Sequence, residues 1–137
     1  MRTYTLRGRC AAGAKKQLVI DDGRFNHGMI VKEFHVWGLD NESNAEMALC
    51  LRSQIPGTNW DAGNTNQIAW ASQQGAAGVP SQYNFGLIDP DHVVVRDLVL
   101  NNFGSTDGNY LVILESRSLS DDQAIMALIK ERGQDDL

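Results

Sequence analysis

The stretch MRTYTLRGRC (residues 1–10) carries the pattern that decides the fold. Tyr4, Leu6 and Cys10 share one parity, while threonines and arginines occupy the odd positions between them. Because side chains alternate between the two faces of a β-strand, this period of two predicts a half-buried strand.

Further segments along the chain have a composition typical of strands. Each is rich in Val, Ile, Leu or aromatic residues and is bounded by Gly, Asn, Asp or Pro, which favour turns. The additional predicted strands are 17–20, 29–37, 47–52, 67–72, 92–101 and 110–117. The strand at 29–37 alternates poorly, because Lys32 interrupts one face and Glu33 and His35 the other. We therefore expect a β-bulge or an edge position there.

Two long segments, 55–66 and 73–84, are expected to be loops. They are rich in Gly, Asn, Gln, Ser and Ala, and they carry little charge. Loops of this length in a compact domain are usually functional or held by a neighbouring subunit. The candidate contact residues in or beside them are Trp60, Asn64, Asn66, Tyr83 and Phe85.

Only the end of the chain has a helical pattern. Ser120 can cap a helix, and a glutamine three residues later completes a capping box. Ile125, Leu128 and Ile129 then fall on one face, at spacings of three and four. We expect a short helix over about residues 120–132, whose apolar face docks on the same subunit or on a partner.

Strands in series followed by one helix predict a single, mainly β domain over residues 1–137. The expected architecture is an antiparallel β-sandwich with jelly-roll-like topology over about 1–117, with a short C-terminal α-helix. A doubly wound α/β fold is disfavoured, because its parallel strands need helical crossovers and no helical pattern precedes residue 120.

Composition narrows the possible partners. The net charge is -5 and the basic residues are scattered, which disfavours nucleic acid as a ligand. No apolar run approaches the ~20 residues that a membrane-spanning helix needs. The N-terminal residues lack the apolar region of a secretory signal, so we expect synthesis and folding in the cytoplasm.

The run IDPDH (88–92) raises the question of a catalytic or metal site. Asp89, Asp91 and His92 are neighbours, but the proline between the aspartates favours a turn that leads into the next strand. The enzyme interpretation would gain support if the fold brought His92 near His35 or Asp97. We favour the structural interpretation.

Other chemical motifs are weak. A cupin-like metal site normally shows His-x-His, whereas His27 and His35 are eight residues apart. The stretch 60–66 resembles a calcium loop but lacks the closing acidic residue. Cys10 and Cys50 are expected to be buried free thiols. We expect no catalytic residue, no metal and no cofactor.

The tryptophans support one alternative function. Trp37 and Trp70 lie in predicted strands and are expected in the core, whereas Trp60 is a surface candidate. Aromatic faces stack on sugar rings, so a groove flanked by Trp60 and Tyr83 would indicate a carbohydrate-binding module, lectin-like or receptor-binding.

Three stretches resemble small structural proteins of bacteriophage virions: YTLRGR (4–9), IDPDHVVVRDLVLNNF (88–103) and NYLVILESRSLSDDQAIMALIKERGQD (109–135). The resemblance implies a capsid-associated protein of the decoration or minor capsid type. Such a protein is made and assembled in the host cytoplasm, resides in the virion, and contacts copies of itself and a major capsid or other virion protein. We therefore expect a non-enzymatic, self-associating protein, with a sugar-binding module as the alternative and a cupin-like metal enzyme ranked below it.

Overall fold

The computed structural model describes residues 2–20, 27–39, 44–51, 60–63, 66–76, 79–89, 93–94 and 97–118. Within these ranges the regular structure consists of β-strands: β1 Thr3–Cys10, β2 Lys15–Leu18, β3 His27–Gly38, β4 Ala45–Cys50, β5 Gln67–Ala76, β6 Val79–Ile88, β7 Leu98–Asn102 and β8 Gly108–Ser118. The protein is therefore mainly β, as the sequence predicts.

The strands form two antiparallel sheets. One has the order β1-β8-β3, and the other has the order β2-β7-β4-β5-β6. The first and last strands pair along their length, from Thr3 opposite Glu115 to Cys10 opposite Gly108. Strand β8 thus lies in the middle of the three-stranded sheet, with β3 on its other side.

Residues from both sheets share one hydrophobic core. Strand β8 contributes its even-numbered residues Tyr110, Val112 and Leu114, and the opposite sheet contributes Met47 and Leu49 of β4. The odd-numbered side chains of β8 point away from this core; those at 109–115 are half-buried and Arg117 is exposed. The alternation predicted for residues 1–10 is confirmed in part, because Cys10 is buried but Tyr4, at the other end of β1, is exposed.

The irregularity predicted around Lys32 is confirmed. In the β3–β8 ladder Val31 lies opposite Leu114 and Glu33 opposite Ile113, so Lys32 is an extra, unopposed residue. This bulge lets both Val31 and Phe34 face the core. Strand β3 is also an edge strand of its sheet.

Three sequence predictions are wrong. The loop expected at 73–84 is occupied by the end of β5 and by most of β6. The strand expected at 92–101 begins only at Leu98, although Val94 forms an isolated bridge with Met29. Trp37 is not a core residue, because it lies on the side of β3 that faces away from the core and is 39% exposed.

Three further expectations concern the cysteines, the C-terminal helix and membrane-spanning helices. Cys10 and Cys50 are buried free thiols, as predicted. The helix expected at 120–132, with Ile125, Leu128 and Ile129, lies outside the described residues. Among the residues that are described, no helix is long and apolar enough to cross a membrane.

Candidate interaction surface

The backbone of Asp89 takes part in the pairing of β5 with β6. Its backbone N–H donates to the carbonyl oxygen of Ile68 at 2.8 Å, which extends the pairing of β5 and β6 beyond Ile88. The side chain is half-buried. Asp91 and His92 lie outside the described residues, so the cluster proposed at 88–92 is described only at its first aspartate.

The other two groups considered for catalysis lie in different parts of the fold. His35 Nε2 is 3.2 Å from Glu33 Oε1, on the side of β3 that faces away from the core. Asp97 accepts hydrogen bonds from Gln17 Nε2 at 2.8 Å and from the Ile20 N–H at 3.1 Å. Asp97 therefore ties the end of β2 to the start of β7, where these two strands pair.

The described ranges contain no group of three or more His, Cys, Asp or Glu side chains that could hold a metal ion. Burial raises the pKa of the Cys50 thiol to about 11, with Lys15 opposing the shift. Burial also raises the pKa of Cys10, against the opposing effects of Lys16 and of a hydrogen bond involving Asn102. A raised pKa keeps a thiol protonated and weakly nucleophilic at neutral pH.

Trp60 is attached to the fold by its polar edge. Its indole N–H donates to the carbonyl oxygen of Met47 at 3.1 Å, and its ring meets Phe103 edge-on with centroids 6.2 Å apart. The side chain is half-buried. Beside it, Gln67 Oε1 accepts hydrogen bonds from the Asp61 N–H and from Trp70 Nε1, both at 2.8 Å. The start of β5 is therefore braced by side-chain hydrogen bonds.

The remaining candidate contact residues are placed as follows. Asn66 is buried, so it is not part of an exposed interaction surface. Asn64 lies outside the described residues. Tyr83 and Phe85 belong to β6, in which the backbone is described but these two side chains are not.

Strand β6 is an outer strand of the five-stranded sheet and pairs there with β5. We call Val79–Ile88 the β6 edge. Its sequence, VPSQYNFGLI, contains no charged residue. Leu87 is 59% exposed and lies opposite Trp70 of β5, which is half-buried. The β6 edge thus has no charged side chain and carries one exposed apolar side chain, that of Leu87.

Each outer strand carries features that oppose strand addition, and in β6 these are Pro80 and two register shifts against β5. Strand β1 has Arg7 and Arg9, the four-residue β2 has Lys15 and Lys16, and β3 has its bulge at Lys32. Short length, charge and bulges are the usual means by which an edge is kept from pairing with another chain. Among the described strands, β6 is the long outer strand without charge.

The sequence contained a signal for this strand. Val79, Ser81, Tyr83, Phe85 and Leu87 alternate with Pro, Gln, Asn and Gly, which is a period of two in the sequence, although the pairing with β5 shifts register between Tyr83 and Phe85. The composition concealed it, because Pro, Gly and Asn are depleted in strands and favour turns.

A scan against protein-family models, a search of curated proteins and a search of solved structures each found no match to this chain.

Proposed function

We propose that this protein is a non-enzymatic virion structural protein of the capsid decoration or minor capsid type. It acts by self-association through the β6 edge and by contact with other virion proteins. The single observation that carries the self-association is the long, uncharged β6 edge with Leu87 exposed on it.

The strand order supports a jelly-roll sandwich as the scaffold. The first sheet reads β1-β8-β3, and four neighbouring strands of the second read β2-β7-β4-β5. Strands β1 to β4 alternate between the two sheets, as they do in two interlocked Greek keys, whereas β6 joins the second sheet beside β5. Jelly rolls occur in viral capsid proteins, lectins and cupins, so the scaffold alone does not select among the three functions considered.

Among the three functions considered, the β6 edge favours assembly. A second copy that aligns its own β6 antiparallel to this strand would extend the sheet across a two-fold axis. Each added backbone hydrogen bond contributes about 0.5–1.5 kcal/mol, and burial of Leu87 contributes about 1.5–3 kcal/mol. The same strand carries Tyr83 and Phe85, two of the residues expected from the sequence to make contacts.

Sedimentation velocity of the purified protein tests the self-association. We expect Leu87→Lys to weaken association by about tenfold or more, because it places a charge on the contact. Val19→Lys is the matched control, because Val19 is 69% exposed and lies outside the β6 edge. A protein that stays monomeric at high concentration, or equal effects of the two variants, would refute the contact.

Hydrogen exchange locates the contact independently. Amides of 79–88 should become protected when the protein assembles, because their outward N–H groups gain partners. Residues 55–66, also expected to make contacts, are read in the same experiment. Equal exchange of β6 in the free and assembled states would contradict the proposed edge pairing.

The virion assignment needs a separate test. Electron microscopy and mass spectrometry of purified virus particles from the source material should find many copies of the protein in a regular arrangement. Its absence from the particles would remove the assignment even if the protein self-associates. His92→Gln should leave folding and assembly unchanged, and loss of a bound metal or of an activity in that variant would instead favour an enzyme.

Sugar binding is the second candidate function, now carried by a different tryptophan. Trp37 is exposed, and Asn109 and Arg9 lie in the same cross-strand row of the three-stranded sheet. An aromatic face beside amide and guanidinium donors is a chemistry that binds pyranose rings. Glycan-array binding that Trp37→Ala abolishes and Trp60→Phe retains would establish it.

A further inference from the structure

Ile30 is buried on the side of the sheet where exposure is expected. It is 6% exposed, yet it does not belong to the core cluster shared by the two sheets. Its partner across β8 is Glu115, an odd-numbered residue that points away from the core. Directly opposed residues of an antiparallel pair share a face, so Ile30 lies on the outer side and is covered there.

We call this side of the three-stranded sheet the outer face. It is formed by the odd-numbered residues of β8 and their partners on β1 and β3. Diagonally beside Ile30 it presents Ile113 on the central strand, and Leu111 follows two residues further along the same strand; both are half-buried. The three residues form an apolar strip, which is an unusual surface for the solvent side of an antiparallel sheet.

Charged side chains border this strip. The basic residues on the outer face and its bulge are Arg7, Arg9, Lys32 and Arg117, and the acidic residues are Glu33 and Glu115. Lys32 Nζ lies 3.9 Å from Glu115 Oε2, so one positive charge is already paired. The outer face is basic in balance, although the whole chain is acidic.

The segment that continues from β8 has the opposite charge. Residues 119–137 contain five acidic residues (Asp121, Asp122, Glu131, Asp135 and Asp136) against Lys130 and Arg132. Their sequence also places Ile125, Leu128 and Ile129 at helical spacing. A short helix with one apolar stripe is marginal alone and needs a surface on which to dock.

The chain leaves β8 close to one end of the apolar strip. Strand β8 ends at Ser118, which pairs with His27 at the start of β3, three residues from Ile30. A helix over 120–132 would be roughly 20 Å long. Ile113 lies five residues before Ser118, or about 17 Å along the strand, and Leu111 lies at about 23 Å. A helix that turns back at Ser118 is therefore long enough to pass Ile113 and ends just short of Leu111.

We propose that residues 119–137 fold back across the outer face of their own subunit, with Ile125, Leu128 and Ile129 against the strip of Ile30, Ile113 and Leu111. The segment then forms a third layer on the three-stranded sheet. The proposal does not rest on the proposed virion function, because the β6 edge belongs to the other sheet.

Hydrogen exchange of the intact chain tests the docking. Amides of 121–132 should be protected in the wild-type protein, and Ile113→Asp should reduce that protection by about tenfold or more while β4 stays protected. Val99→Asp is the matched control, since Val99 is a half-buried β-branched residue on β7 of the other sheet, away from the core cluster. Ile113→Ala serves if Ile113→Asp fails to fold, because it removes apolar contact without adding charge.

Hydrogen exchange measured on the monomer distinguishes docking within a subunit from docking on a second copy. Protection of 121–132 should be independent of protein concentration, in the wild type and in Leu87→Lys. Protection that disappears on dilution would mean that the segment binds a neighbouring subunit, which would overturn the proposal. Unprotected amides in the wild type, or equal effects of Ile113→Asp and Val99→Asp, would overturn it as well.

Discussion

Gly108 and Met47 mark a place where the two sheets come into very close contact. A Cβ added at Gly108 would lie 2.5 Å from Met47 Cε, and also 3.6 Å from the Cβ of Ala45. Gly108 begins β8 in the three-stranded sheet, whereas Met47 lies in β4 of the other sheet and has no exposed surface. The glycine therefore allows the sheets to approach where a larger residue would hold them apart.

Gly108→Ala should lower the free energy of unfolding by about 1–3 kcal/mol, because the added methyl group overpacks this contact. Urea denaturation followed by circular dichroism measures the change. The double variant Met47→Ala/Gly108→Ala is the control, since the alanine at 47 vacates the space. If Gly108→Ala costs as much in that background as in the wild type, the contact with Met47 is not the cause.

Asn102 joins three parts of the chain through its buried side chain. Its Nδ2 donates to the carbonyl oxygens of Cys10 at 3.0 Å and Thr106 at 3.2 Å, and its Oδ1 accepts from the Gly104 N–H at 2.9 Å. Asn102→Ala should cost about 2–4 kcal/mol of unfolding free energy, because it leaves buried backbone groups without partners. Thermal and urea denaturation provide the measurement.

Asn109→Ala is the comparison for Asn102. Asn109 is half-buried, and the hydrogen bond from its Nδ2 to the Gly38 carbonyl oxygen is longer, at 3.3 Å. We expect a cost below about 1.5 kcal/mol. Equal costs for the two asparagines would show that the burial of Asn102 adds nothing to its hydrogen bonds.

Stability should decline in alkali through Cys50. Burial raises the pKa of this thiol from 9.0 to about 11, so the folded state favours the protonated form. The contribution of Cys50 to the free energy of unfolding is fully present below pH 9. It is lost as the pH rises toward 11, by about 2–3 kcal/mol in total. Urea midpoints measured between pH 8 and 11 should fall less steeply for Cys50→Ala than for the wild type. Parallel pH profiles would contradict the assignment to Cys50.

Trp60→Phe should lower the unfolding free energy by about 1–2 kcal/mol. The phenylalanine keeps an aromatic ring near Phe103 but cannot donate to the Met47 carbonyl oxygen. Trp37→Phe is the matched control, because Trp37 is largely outside the core, and it should change stability by less than about 0.5 kcal/mol. Chemical denaturation distinguishes the two tryptophans.

Regular alternation was the part of the fold that could be predicted from the sequence. The alternation of Tyr4, Leu6 and Cys10 identified β1, and the break at Lys32 identified the bulge. These predictions succeeded because local side-chain direction follows from the backbone geometry of a strand. They required no knowledge of the partner strand.

Features that depend on distant neighbours could not be predicted. Trp37 was assigned to the core because it lies in a predicted strand, but its register in β3 places it on the outer side. Residues 79–84 of the β6 edge were predicted to belong to a loop, because the Gly, Asn, Gln, Ser and Ala content of 73–84 outweighed a weak alternation. Asn66 was predicted to be a surface contact residue, but it is buried in the fold. In each case tertiary packing decided against the residue's usual preference.

The extra residue at Lys32 also affects how relatives of this chain should be compared with it. Because Val31 and Glu33 already face consecutive residues of β8, a relative that lacks Lys32 would keep every inward side chain inward. A one-residue gap at this position is therefore compatible with an unchanged fold. A gap placed a few residues later in β3 would instead assign Phe34 and Val36 to the wrong face, so an alignment of this strand should be anchored on the bulge.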